Sequence, residues 1–409
     1  MNASESFPLR AARWLTFANA ATILLSIAAY EILLALALAA LMLSGEPLRL
    51  PRIKLPLALF LAGTIVSLLA SGHIAQGLPQ IRKMYVFCEL LVVFSALRDV
   101  RMIRWLVLTC AGFASISGIR GMVQFAEKMQ QARQLHRDDY SFYVGERITG
   151  FMSHWNTFSE LEMFALIMLA AYLFFAPNVR QRIWIWLLSG GIILLAILLA
   201  ETRAAWIATA LAGLYLIWFW RRWLVLLVPV LIAVVFFASP HVIRDRFTSL
   251  VHAKGVDSNE FRLVTWWTGV RMIEAHPLLG LGPEGPRYQF DQYAPVGVDR
   301  PEGWYGHLHN IYLQYAAERG IPTMLILMWM LFQIVYDFWR GLRKLPPGRS
   351  NQRFLLHGGI AVVFATLVDG LFEYDLGTSS VLSLFLVIVA CGYLALEKDV
   401  APVEASVAG

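Results

Sequence analysis

Charge is scarce in this chain: Asp, Glu, Lys and Arg together make up 15% of its 409 residues, against about a quarter in soluble globular proteins. With 58% hydrophobic residues and a mean hydropathy of +0.60, that scarcity excludes a soluble multidomain enzyme. Cysteine is nearly absent. Cys88, Cys110 and Cys391 all lie inside apolar stretches without metal-ligand spacing, which excludes a disulfide framework and a zinc site. No basic module interleaved with aromatics occurs, so the net charge of +6 and pI near 9.3 do not point to nucleic acid; most basic residues form short clusters between apolar segments. A cleavable signal peptide is also lacking. The run that follows Arg10 and Arg13 extends from Trp14 to Leu43 without a small-residue cleavage site, and is expected to stay as an uncleaved anchor.

What is present is a series of apolar runs near the 20 residues that cross a bilayer, recurring from Trp14 to Leu396, the pattern of an all-α polytopic membrane protein. The first run holds 30 residues, about 45 Å as one helix against a hydrocarbon core of about 30 Å, so it is read as two short helices divided near Tyr30 and Glu31. Further spans are expected near 55–71, 84–97, 102–125, 157–175, 183–200, 204–220, 223–239, 310–339, 354–373 and 378–396, giving twelve. Charge supports that count. With the N-terminus inside, the inner loops carry Arg49, Arg52 and Lys54; Arg98, Arg101 and Arg104; Arg180 and Arg182; Arg221 and Arg222; and Arg340, Arg343, Lys344, Arg349 and Arg353, as the positive-inside rule requires. Residues 1–409 are therefore read as one membrane domain with two long outer loops, 126–156 and 240–309.

A loop of about 70 residues is far longer than a connection needs, and such loops carry function. Asp257 and Glu260 form a capping-box pattern at the start of a short helix expected near 258–275, ended by Pro277. On it Arg262, Trp266 and Ile273 share a stripe. Gly280, Gly282 and Gly285 follow. No strand precedes them and no P-loop lysine follows, so they are read as a loop packed closely on the membrane face rather than a phosphate cradle.

Ionisable groups near a bilayer are costly and therefore informative. Arg203 sits in ETRAAW at a short outer link where topology asks for no cation; it is either paired with Glu201 or snorkelling, or it serves an anionic ligand. Arg262 on the loop helix is either a solvated residue or part of the same site. Arg120 near the outer end of a span and Arg147 in VGERITG, with Lys128, Arg133 and Arg137, make the first long loop cationic. His307, His309 and Asn310 in GHLHN lie where the long loop re-enters the membrane. On a helix two histidines two apart sit about 200° apart, so a shared metal is not expected without partners. Asn310 suits a helix cap, and one histidine suits a general base.

The stretch His309-Asn310, nine residues, Gly320, two residues and Thr323 resembles the His-Asn-x9-Gly-x-x-small signature of bacterial O-antigen ligases. RAAW from Arg203 to Trp206 and HPLLGLG from His276 are similar to elements shared with O-antigen polymerases and related oligosaccharyltransferases. The resemblance implies a metal-independent glycosyltransferase without cofactor, similar in fold to class C glycosyltransferases, in the inner membrane with both termini cytoplasmic and its site periplasmic. Its partners would be undecaprenyl-diphosphate-linked polysaccharide, lipid A-core oligosaccharide and membrane lipids. It further implies His309 as catalytic base, supported by His307, Tyr305, Asn310 and Trp206, with Arg203, Arg262, Arg147 and Arg120 on the diphosphate. An O-antigen polymerase or a protein O-oligosaccharyltransferase shares the donor and differs in the acceptor. A lipid-linked sugar transporter would show repeated broken helices, and no such repeat is visible.

Overall fold

The structure, a computed structural model, describes residues 6–248, 259–295, 297 and 306–397, and among them all regular structure is helical. In order these are α1 (Phe7–Thr22), α2 (Ile27–Leu43), α3 (Lys54–Ala70), α4 (Ile74–Arg82), α5 (Cys88–Ala96), α6 (Val100–Gln134), α7 (Asp139–Gly145), α8 (Trp155–Phe175), α9 (Ile183–Leu199), α10 (Arg203–Arg221), α11 (Val228–Ala238), α12 (His241–Thr248), α13 (Asn259–Ala275), α14 (Gly285–Tyr293), α15 (Ile311–Leu342), α16 (Asn351–Asp369) and α17 (Ser379–Leu394). Among the described residues five stretches are long and apolar enough to cross a membrane: α6, α8, α9 with the turn before it, α10 extended to Val230, and α15. Helices α2, α3 and α17 are shorter apolar helices. The chain has the character of a multi-pass membrane protein.

Several expectations from the sequence are corrected. The first apolar run breaks at residues 23–26, not at Tyr30 and Glu31, because the Ser26 side chain accepts from the Ala29 amide and caps α2. A hydroxyl satisfies the exposed amides of a new helix, which a buried tyrosine does not. Tyr30 is fully buried, and its carbonyl accepts from Asn19 Nδ2 at 2.8 Å. The expected span at 84–97 is a tight turn, Lys83–Phe87, followed by the nine-residue α5, about 14 Å of helix. Likewise 223–239 is a turn, Arg222–Leu227, before the eleven-residue α11. Segment 126–156 is not an open loop: α6 runs to Gln134 and α7 follows. Hydropathy ends where side chains turn polar, but Glu127, Lys128, Gln130 and Gln131 are good helix formers and extend the same rod. Within 240–309, α12, α13 and α14 are all helical.

Helix α8 is enclosed on nearly every side. It packs against α6, α9, α10, α16 and α17, and Gly358 of α16 lets it approach closely, since a Cβ there would lie 2.6 Å from Met168 Sδ. The apolar core runs through this group. Its ends gather the chain segments that carry polar side chains.

The long helix α15 is broken. At Gly320 the backbone turns to φ 80, ψ 160, and Pro322 follows; a break strips carbonyls of their intrahelical donors. The HPLLGLG segment supplies replacements. Leu281 N donates to Ala317 O at 2.8 Å and Gly282 N to Glu318 O at 2.9 Å, while Ile321 N donates to Pro277 O at 2.8 Å. Ser67 Oγ of α3 also donates to Glu318 O, at 2.7 Å. Contact is so close that a Cβ on Gly320 would stand 2.0 Å from Leu278 O, and one on Gly280 2.4 Å from Glu318 C. The glycine loop thus packs on the break itself. Replacing Gly320 by alanine combines the cost of a backbone region open essentially to glycine alone, about 1–3 kcal/mol, with a direct clash, and is expected to lower the unfolding temperature of the purified protein markedly, whereas Gly213→Ala inside α10, where nothing lies within 4 Å, keeps it or raises it slightly.

Candidate functional site

At one end of the bundle, where α7, α8, α10, α12, α13 and the α16–α17 link meet, lies a cavity of about 760 Å³, within the range of ligand pockets. Its wall includes Arg147, Arg203, Arg246 and Arg262 together with His307 and His309. Glu373 stands at their centre. This carboxylate, 4% exposed, receives His309 Nδ1 at 2.9 Å, Arg262 Nη2 at 2.5 Å and Asn156 Nδ2 at 2.8 Å. Burial pushes its pKa up, but the Arg262 charge and the hydrogen bond from His309 outweigh that and hold it well below the usual carboxylate range. It is therefore ionised and can only accept, so His309 donates to it from Nδ1, which makes Nε2 the basic nitrogen of the neutral ring.

Local sequence explains how His309 is held. Asn310 caps α15, its Oδ1 accepting from Leu313 N at 2.9 Å, and its Nδ2 donates to Leu371 O at 2.9 Å. These bonds tie the start of α15 to the link that bears Glu373. His309 itself adopts φ +48, uncommon for a side-chain-bearing residue, and its carbonyl accepts from Trp266 Nε1 of α13 at 3.3 Å. The rings of His307 and His309 do not point apart as a helical spacing would place them; their centroids are 4.3 Å apart. Burial, then the neighbouring His309, lowers the His307 pKa to about 3, so this imidazole is neutral at physiological pH.

The arginines differ in setting. Arg203 is the first residue of α10 and only 8% exposed. Arg262 also donates from Nε to Phe372 O at 3.3 Å. Arg147 donates to Val144 O at 3.0 Å and stacks over Trp155; burial and then the like charge of Arg246 lower its pKa to about 10, which leaves it charged at neutral pH. Arg120 is not brought into the cavity. It is exposed on α6 with its guanidinium over the Phe151 ring at 4.5 Å, and α6 continues past it as helix to Gln134. Trp206 does not line the cavity either; its Nε1 donates to Ile197 O at 2.8 Å, pinning α10 to α9. Tyr305 and Asp257 lie outside the described residues.

Sequence reasoning missed Glu373, Arg246, His154 and Asn156. Arg246 of α12 is 2% exposed and donates from Nε to Glu201 O at 3.1 Å. His154 caps α8 through Nδ1, which accepts from Asn156 N at 3.2 Å, and burial lowers its pKa. A signal for Glu373 existed: it is an acidic residue in a short link between two apolar runs, on the side where the unexplained cations lie. Arg246 had none, since it sits among other charges in HVIRDRF.

The arrangement has the parts for displacing an anionic leaving group: permanently charged forks, a histidine with a fixed tautomer, and a carboxylate that orients it. Comparison with known proteins fits this chemistry. No curated protein matches the chain, but residues 188–328, which contain Arg203, Arg246, Arg262 and His309, match the family described as O-antigen ligase. The match points to an enzyme of the O-antigen ligase or polymerase kind acting on lipid-linked polysaccharide.

Proposed function

We propose that the protein transfers a polysaccharide from undecaprenyl diphosphate to a sugar hydroxyl of lipid A-core, at a periplasmic site in the bacterial inner membrane. The observation that carries this reading is the convergence of four arginines and the His309–Glu373 pair on one cavity. This reading includes a fold of the class C glycosyltransferase kind. With the N-terminus inside, the ends of α8, α10, α16 and α17 that border the cavity would all face outward.

In this reaction the acceptor oxygen attacks the anomeric carbon, the bond from that carbon to the diphosphate breaks, and undecaprenyl diphosphate leaves with the bonding electrons. Charge grows on the leaving oxygens. Fixed guanidinium groups at Arg203, Arg147, Arg246 and Arg262 would stabilise it without reorganisation. The acceptor proton passes to His309 Nε2, and the resulting imidazolium is held by Glu373. An apolar cavity of about 490 Å³ between α10, α15 and α16, lined by Leu211, Trp218, Phe332 and Phe364, suits part of the prenyl chain; it begins eight residues, about 12 Å, along the helix that Arg203 heads. A polymerase or a protein O-oligosaccharyltransferase would use the same cavity with a different acceptor.

The first test uses purified protein in nanodiscs with undecaprenyl-diphosphate-linked glycan and lipid A-core, read as a shift of the acceptor on gels. Ligase activity predicts a shifted acceptor; donor lengthening or glycosylation of a protein acceptor instead would move the assignment to polymerase or oligosaccharyltransferase. Substitutions His309→Ala and Arg203→Ala are each expected to lower transfer at least about a hundredfold while the protein still inserts and purifies. Unaltered rates in either variant would sink the mechanism. Glu373→Gln is expected to lower kcat by a similar factor with less effect on donor KM, because it removes the group that fixes the His309 tautomer. A fourth expectation concerns acid. His307 has its folded pKa lowered from 6.5 to about 3, so the unfolded chain takes up that proton first; the stability this burial contributes is complete above pH 6.5 and is lost as pH falls toward 3. The unfolding temperature of His307→Asn should therefore fall less between pH 7 and pH 4 than that of the wild type, and parallel curves would contradict the assignment.

A further inference from the structure

A second chamber, of about 350 Å³, adjoins the first: His307, Tyr374 and Thr378 line both. Its chemistry is different. The large cavity has four arginines against the carboxylates Glu160 and Glu373, whereas the second has two cations, Lys83 and Arg287, against two carboxylates, Glu31 and Glu284, so its formal charges cancel. The rest of its lining is rich in amides and hydroxyls, including Gln80, Gln314, Ser379 and Ser380. Its floor is rigid. Glu318 Oε1 accepts from Gln80 Nε2 at 3.0 Å, Gln314 Nε2 at 2.8 Å and the Glu284 amide at 3.2 Å, which holds Glu284 in a left-handed conformation, φ 64. On the opposite wall Tyr85 Oη donates to Glu31. In the shared partition the buried Nδ1 of His307 has no hydrogen-bond partner among the described residues, a deficit that a ligand group would relieve.

We infer that this chamber is the acceptor subsite, taking a neutral sugar ring and leading one of its hydroxyls past His307 to His309. The inference rests on the transferase reading above. An anionic donor and a neutral acceptor need opposite linings, and a chamber of carboxylates, amides and hydroxyls without net charge discriminates polyhydroxylated rings by hydrogen bonding. With the diphosphate held on the arginine side and the acceptor on the other, the reacting atoms meet at the partition. The ring of His307 lies beside that of His309, so its Nδ1 can bond the acceptor sugar and steer the hydroxyl toward the base.

Neutral sugar could equally come from the donor's own first residue, and three probes separate the sources: undecaprenyl diphosphate, undecaprenyl-diphosphate-linked glycan, and lipid A-core. Binding of each to nanodisc-held wild type, to Glu31→Gln, to Glu284→Gln and to Ser379→Leu, which narrows the chamber, is measured directly. The expected result is a loss of at least tenfold in lipid A-core affinity in Glu284→Gln and Ser379→Leu, with both donor probes held within twofold; intact donor binding also shows that the variants are folded. In turnover the same variants should raise acceptor KM with kcat little changed. Lipid A-core affinity within twofold of wild type, or a loss confined to the glycan-linked donor, would overturn the acceptor assignment. Failure of wild type to bind either donor probe would instead overturn the transferase reading itself.

Discussion

A carboxylate taken out of water costs several kcal/mol unless it is compensated by charge and hydrogen bonds, and Glu373 is buried in this way. Its three donors come from three different segments: Asn156 at the start of α8, Arg262 on α13 and His309 ahead of α15. Satisfying one buried charge therefore fixes the relative position of a central helix, a helix of the long outer segment and the motif histidine. Removing any donor would leave the others beside an under-compensated anion. The same bonds that anchor these segments also set the tautomer of His309, so the stability of this end of the bundle and the readiness of its base have one physical origin.

The break in α15 does comparable work for the backbone. A continuous helix through residue 320 would keep every carbonyl satisfied and leave no place for the HPLLGLG loop. With Gly320 at a conformation open to glycine, the carbonyls of Ala317 and Glu318 turn outward and take amides from Leu281 and Gly282. The loop is thereby stitched to the helix, and Glu318, buried at the break, organises Gln80, Gln314 and the Glu284 amide around its carboxylate. Both halves of the His-Asn-x9-Gly spacing then have a role: Asn310 caps the first half-helix, and Gly320 ends it about two and a half turns later.

Between these two anchors lie two adjoining cavities of unlike electrostatics. Arginines, weakly hydrated and always charged, can be kept partly buried where an ammonium would lose its proton, and even Arg147, with its pKa drawn down by burial, stays charged at neutral pH. They face a space large enough for a substrate head. The neighbouring chamber balances its charges and offers hydroxyls and amides. His307 belongs to both, a neutral ring with an unmet polar atom among the described residues.

Sequence alone determined an all-helical, multi-pass class and marked the charges that are costly in it. Apolar run lengths dictate membrane-crossing helices because a bilayer leaves the backbone no other way to satisfy itself, and permanent charges such as Arg203, Arg147 and Arg262 stand out in an apolar chain because their placement is costly. Helix ends were less legible: the break before α2 follows the cap at Ser26 rather than the charge at Glu31, and α6 outlasts its apolar stretch. What only the tertiary structure decided was convergence. Glu373, Asn156 and Arg246 are distant in sequence from His309 and ordinary in composition, and Arg120 looks no different from Arg147 until the course of α6 leaves one outside and the turn after α7 brings the other in. Periodicity and hydropathy report which residues can bear burial; which buried charges meet is set by helix packing, through the requirement that each of them find its partners.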